Sequence, residues 1–102
     1  MREYELYVPL HYNDGRPIEL DKLNRLKHRL LQEFGGLTHF PQENEGVWKV
    51  GQFTFRDRIV ILRVLAAELQ TAERFFRGLK EDLKRDWEQN DFLIVSREVT
   101  AL

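Results

Sequence analysis

Apolar and polar residues alternate from the start of the chain. Tyr4, Leu6, Val8 and Leu10 fall on one side of an extended backbone and Glu5, Tyr7 and Pro9 on the other, the period-two pattern of a half-buried strand. His11-Tyr12-Asn13-Asp14-Gly15-Arg16-Pro17 follows. Asn, Asp and Gly tolerate a left-handed backbone and proline fixes φ, so the chain leaves the sheet here. From about Leu20 to Phe34 the period becomes helical. Leu23, Leu26, Leu30 and Phe34 share a stripe with Leu31 beside it, while Lys22, Arg25, Lys27 and Arg29 lie elsewhere. Glu19 or Asp21 places negative charge near the helix start, and Gly35-Gly36 offers a left-handed C-terminal cap.

Leu37 to Phe40 can extend, but Pro41 withdraws a ladder donor and Gln42-Glu43-Asn44-Glu45-Gly46 is polar and turn-prone. The strand is expected to bulge outward there and to resume over Val47 to Val50. Gly51-Gln52 suits a two-residue hairpin that returns the chain through Phe53-Thr54-Phe55. Arg58 to Ala66 is β-branched and almost continuously apolar, as expected of a central strand. A second helix is expected from about Glu68 to Trp87, with Leu69, Ala72, Phe76, Leu79, Leu83 and Trp87 in one stripe and Phe75 widening it. Glu73 with Arg77 and Glu81 with Arg85 have the spacing of surface ion pairs. Gly78 costs about 1 kcal/mol against alanine inside a helix, which close approach of another backbone would explain. Gln89-Asn90-Asp91 breaks the helix, and Phe92 to Val99 reads as the last strand.

Strand, helix, strand, strand, helix, strand is the α+β, ferredoxin-like βαββαβ plan: a four-stranded antiparallel sheet with two helices on one face, here as a single domain over 1–102. Right-handed crossovers place the first and third strands in the centre and the second and fourth at the edges. If Val60, Leu62 and Val64 face the helices, then Ile59, Ile61 and Arg63 face away, and alternation adds Phe53 and Phe55. The hairpin sets Val50 opposite Phe53 and Trp48 opposite Phe55, and Tyr7 joins from the first strand. A bulge near Arg56-Asp57 would reverse these assignments. A contiguous apolar face of this kind marks an interface or a ligand surface. Tyr7, Trp48, Val50, Phe53, Phe55, Ile59 and Ile61 are therefore the expected interface of a homo-oligomer, a dimer by preference, against the simpler reading that the aromatics close the open end of the core.

Composition narrows the partners. A chain of 102 residues, 42% apolar and 12% aromatic, can bury one core. Its net charge of −1 offers no field to collect phosphate backbones, so nucleic acid is not an expected partner. The sheet plan is shared with RNA-recognition domains, but Arg58-Ile59-Val60-Ile61-Leu62-Arg63 is aliphatic where their third strand carries basic and aromatic residues. Without cysteine there are no disulfides and no thiolate chemistry, which fits a reducing compartment. With no signal-like or membrane-spanning apolar run, the chain is expected to be soluble and cytoplasmic.

Candidate chemistry gathers around the hairpin, where His39, Glu43, Glu45, Trp48, Arg56, Asp57 and Arg58 bring an imidazole, carboxylates, guanidinium groups and an indole into one region. His39, Asp57 and Arg58 are the candidates for an acid–base site; the competing reading is a solvated turn with ordinary ion pairs. No metal or cofactor is expected, because His11, His28 and His39 lack ligand spacing and neither Gly35-Gly36 nor Asp14-Gly15 forms a nucleotide motif. Ser96, inside a strand, is the only serine available as a nucleophile.

Gly36-Leu37-Thr38, followed after a polar turn by Gly46-Val47-Trp48, resembles the Gly-Leu-Thr and Gly-x-Trp pattern of a small bacterial domain family of unknown function. The resemblance covers the central part of the chain and implies a compact α+β domain with this stretch as its hallmark. It carries over no catalytic residue and no ligand, and the expected absence of an export signal sets this chain apart. The function expected from the sequence is a homo-oligomeric binding or regulatory module using the open sheet face. The alternative is a cofactor-independent small-molecule enzyme of the dimeric α+β barrel type, with a pocket at that face.

Overall fold

In the computed structural model, which describes residues 1–102, the chain runs β1 (Arg2–Pro9), α1 (Leu20–Phe34), β2 (Thr38–Val50), β3 (Phe53–Ala66), α2 (Leu69–Asp86) and β4 (Ile94–Glu98). The strands form one antiparallel sheet in the order β2-β3-β1-β4, so the expected centre and edges are found and the fold is ferredoxin-like.

Alternation along β1 and β3 builds the core. Tyr4, Leu6 and Val8 meet Val64, Leu62 and Val60 directly across the ladder, and all six are buried. Leu26 and Leu30 of α1, Ala72, Phe76, Leu79 and Leu83 of α2, and Ala66, Trp87 and Phe92 complete the cluster. Phe76 is its aromatic hub, stacked on Tyr4 at 4.3 Å and on Phe34 at 5.3 Å between ring centres. α1 ends where its sequence says it must: Gly35 adopts φ 76° and returns its N–H to the Leu31 carbonyl.

Several expectations are corrected. β2 continues through the polar stretch, with Asn44, Glu45 and Gly46 paired to Ile59, Arg58 and Asp57. The irregularity is confined to Pro41, Gln42 and Glu43, which stand against Val60 alone between the Phe40–Ile61 and Asn44–Ile59 pairs. Three residues against one leaves two extra, and an even excess keeps the faces of β2 in phase, whereas a single extra residue would turn Trp48 over. β3 runs unbroken from Phe53, so no bulge falls at Arg56-Asp57.

On α2, Gly78 is exposed and a Cβ there would meet nothing within 4 Å, so no neighbouring backbone explains it. The two expected helix-surface pairs do not form. Arg85 turns to Asp82 at 3.2 Å and Asp86 at 3.3 Å, Glu81 meets Lys84 at 3.8 Å, and Arg77 has no ion-pair partner. β4 begins two residues later than expected because Phe92, 1% exposed, turns into the core against Trp87. The loop after β1 is also less open than its turn residues suggest. Tyr12 is buried there, its hydroxyl bonded to Glu19 and receiving a bond from Lys22 Nζ, which also reaches the Asp86 carbonyl at 2.6 Å.

Candidate functional site

The helices cover one face of the sheet and leave the other open. Cross-strand rows run along that open face. Phe40, Ile61 and Tyr7 form one row, Asn44, Ile59 and Pro9 the next, then Gly46 with Asp57, Trp48 with Phe55, and Val50 with Phe53. Ile61 to Phe53 spans about 27 Å at the usual rise of an antiparallel strand. Tyr7, Ile59 and Ile61 are half-buried, and exposure then increases outward to 72% at Phe53.

Beyond Ile59 the β2–β3 hairpin projects past the core, so Val47, Lys49, Thr54 and Arg56 on its other side are exposed as well. An isolated two-stranded hairpin is marginally stable in water. This one is held by its ladder and by the stacked Trp48 and Phe55 rings, 5.8 Å apart and 18° from parallel.

The opposite end of the open face is charged and internally satisfied. Glu3, only 6% exposed, receives Arg97 at 2.7 Å and Arg63 at 3.3 Å, and Arg97 also reaches Glu5 at 2.6 Å. The hydrogen bond from Arg97 holds the Glu3 carboxyl below its ordinary range. Arg63 also lies over the Phe40 ring at 5.1 Å, joining the charged end to the apolar rows. Arg63 was legible as an open-face residue; that Glu3 would bind it together with Arg97 required the β1–β4 register.

The three acid–base candidates do not converge within one chain. His39 pairs with Leu62 and so lies on the helix side, five positions along β3 from the level of Asp57, about 17 Å at strand rise. Lys27 Nζ sits 3.3 Å from His39 Nδ1. An ammonium can only donate, so Nδ1 accepts and Nε2 carries the proton, buried and without a partner. Burial, and secondarily the Lys27 charge, push the His39 pKa down, which keeps the ring neutral. Arg58 is on the helix side too, paired at 3.0 Å with Glu43, and Arg56 is paired at 2.8 Å with Glu45.

Asp57 alone of the three faces the open side, among apolar neighbours and with no ion pair. Burial pushes its carboxyl above the ordinary value, and nearby His11 pulls it the other way. His11 was not paired with Asp57 in the sequence reading. The Pro9–Ile59 pair, continued two residues along each strand, brings the two level, and the Leu10 N–H to Arg58 carbonyl bond continues the contact. A carboxyl whose pKa is higher folded than unfolded costs stability when ionised. That cost is absent below its ordinary value of 3.8, where both states are protonated, and complete once the pH exceeds the raised value. Asp57→Asn is therefore expected to melt at a higher temperature than the wild type near about pH 7 and to lose that advantage near about pH 3. Thermal melts at the two pH values check this, and an equal or lower melting temperature at neutral pH refutes it.

No group of three or more His, Cys, Asp or Glu side chains is placed to hold a metal ion, and no helix is long and apolar enough to cross a membrane. No protein-family model matches the chain, and no curated protein matches it. Among solved structures, the chain is similar to a phage SAM lyase in complex with S-methyl-5'-thioadenosine. The two are 14% identical with a TM-score of 0.66, over 95% of this chain and 80% of the lyase chain. Similarity at that identity shows the shared ferredoxin-like fold.

Proposed function

We propose that the protein is a homo-oligomeric binding module whose open sheet face and projecting hairpin close on a second copy of the chain. The observation that carries this is the apolar series on the open face, Tyr7, Phe40, Ile61 and Ile59 and then Trp48, Phe55, Val50 and Phe53, divided by the Gly46–Asp57 row and covered by no helix. A second copy suits the face because the net charge of −1 creates little repulsion between like chains. The charged end adds no cost of unpaired ions, since Glu3, Glu5, Arg63 and Arg97 satisfy one another. A cysteine-free chain suits the reducing cytoplasm as its location.

Light scattering should give a mass that is a multiple of 12.3 kDa. Of the two tryptophans, Trp87 is 3% exposed in the single chain and Trp48 is 45% exposed, so a red shift in emission on dilution reports Trp48 leaving an interface. A mass of 12.3 kDa at every concentration refutes the reading.

A second reading is favoured by the likeness to the lyase: an enzyme or receptor for a small molecule held at the same face. Trp48 and Phe55 offer a stacking surface for a flat ring, and Asp57 a carboxyl that burial brings closer to neutral pH. Calorimetric titration with S-methyl-5'-thioadenosine tests it, and the absence of both heat and any change in Trp48 emission removes it.

A further inference from the structure

On the helix side of the sheet, away from the face just described, α2 and the edge strand β4 border a pocket of about 220 Å³. Tyr4 and Ser96, directly paired across β1 and β4, both line it, and Arg77 and Lys80 line it from α2. Two buried donors in this region have no hydrogen-bond partner, the Tyr4 hydroxyl and Arg2 Nε. Tyr4 as a whole is 4% exposed. Arg2 is the next helix-side residue along β1 and donates from its other nitrogen to Ser96 Oγ at 3.2 Å.

Packing does not account for the hydroxyl. The Tyr4 ring stacks on Phe76, and phenylalanine would make the same stack without burying an unpaired donor, which costs folding free energy. Nor does a neighbouring ion account for Arg77. Arg77 forms no ion pair although Glu73 lies one turn away, and Lys80 has only Asp91 at 3.1 Å. Two cationic side chains, Arg77 and Lys80, line the pocket with one carboxylate, that of Glu73, and Arg2 stands beside it through its bond to the lining Ser96.

We propose that this pocket binds a small oxyanion, a phosphate or carboxylate group, with the Tyr4 hydroxyl and Arg2 Nε donating to its oxygens and Arg77 and Lys80 supplying the charge. Burial and then the Glu73 carboxylate push the Tyr4 pKa up, against the charge and the donor groups of the neighbouring Arg2, so the hydroxyl keeps its proton and remains a donor at neutral pH. Glu73 sets the other limit, since its charge opposes highly charged ligands. This site lies across the sheet from the oligomer face and does not depend on it.

The test is the melting temperature of the full chain in about 10 mM sodium phosphate, in about 10 mM sodium acetate and in sodium chloride alone, all three brought to one ionic strength with sodium chloride, because a ligand that binds only the folded state raises it. The wild type should melt several degrees higher in phosphate or acetate than in chloride, and the two arms separate the two oxyanions. Tyr4→Phe should melt in chloride no lower than the wild type, having lost an unpaired donor, and should lose most of the oxyanion-dependent rise. Arg77→Gln, an exposed helix position, should lose it too and guards against misfolding of Tyr4→Phe, while Glu73→Gln should enlarge the phosphate response. No rise in the wild type with either oxyanion overturns the proposal. So does a rise that survives intact in Tyr4→Phe and Arg77→Gln.

Discussion

Ile61→Glu should convert the oligomer to a single chain of 12.3 kDa by light scattering while leaving the far-ultraviolet helical signal unchanged. Ile61 stands at the centre of the widest apolar row, between Tyr7 on β1 and Phe40 on β2. In the single chain it is half-buried, so a glutamate there keeps contact with water and the fold survives. Against a second copy the same carboxylate would be buried among apolar side chains without a partner. A desolvation cost of roughly 3 kcal/mol weakens association about a hundredfold, and an unpaired charge exceeds that figure readily. Ile61→Val keeps the apolar contact and should keep the wild-type mass. Phe53→Glu provides an independent variant at the far end of the face, on the projecting end of the hairpin, which contributes nothing to the core. An unchanged mass in both glutamate variants would show that the open face is not the interface.

Leu62→Ala should produce the largest loss of stability. Leu62 is wholly buried on the helix side of β3, opposite the equally buried Leu6. Truncating a leucine in such a site removes its transfer free energy and leaves a cavity, at a cost of about 2–5 kcal/mol. For a domain whose total stability is on the order of 5–15 kcal/mol, that shifts the melting temperature by roughly 10 °C or more. Leu65→Ala, three positions along the same strand but on the open face and 47% exposed, should stay within about 0.5 kcal/mol. Denaturant midpoints for the two variants test the alternation of β3 directly. Equal losses would mean that the faces are wrongly assigned.

The face of each β3 residue was legible in the sequence because alternation is a local property of an extended chain, and Val60, Leu62 and Val64 left little choice of core side. The hairpin partners Val50–Phe53 and Trp48–Phe55 were legible for a similar reason, since a two-residue turn at Gly51-Gln52 sets the register by itself. Harder to read was the interval between Phe40 and Asn44. Pro41 and the polar residues after it signal an interruption, but composition does not say how many extra residues it holds, and that number decides which way Trp48 points.

The candidate site was legible only in part. His39, Asp57 and Arg58 belong to one hairpin, yet His39 and Arg58 lie on the helix side and Asp57 on the open side, because neighbours in a strand point in opposite directions, and His39 sits five positions along β3 from the level of Asp57. The contacts that matter for Asp57 and Tyr4 come from His11 and Ser96, brought in by strands paired across long stretches of chain. No local pattern marks such pairs. The sequence by itself determined the order of elements, the ends of α1, the core face of the sheet and the apolar character of the other face, all of which follow from periodicity and turn chemistry within short windows. Only the tertiary structure decided the two-residue excess in β2, the Glu3–Arg63–Arg97 network, the separation of His39 from Asp57 and the pocket beside Tyr4. Each depends on where distant segments meet across a ladder, and a side chain's partners, unlike its face, are set by the register of strands it does not belong to.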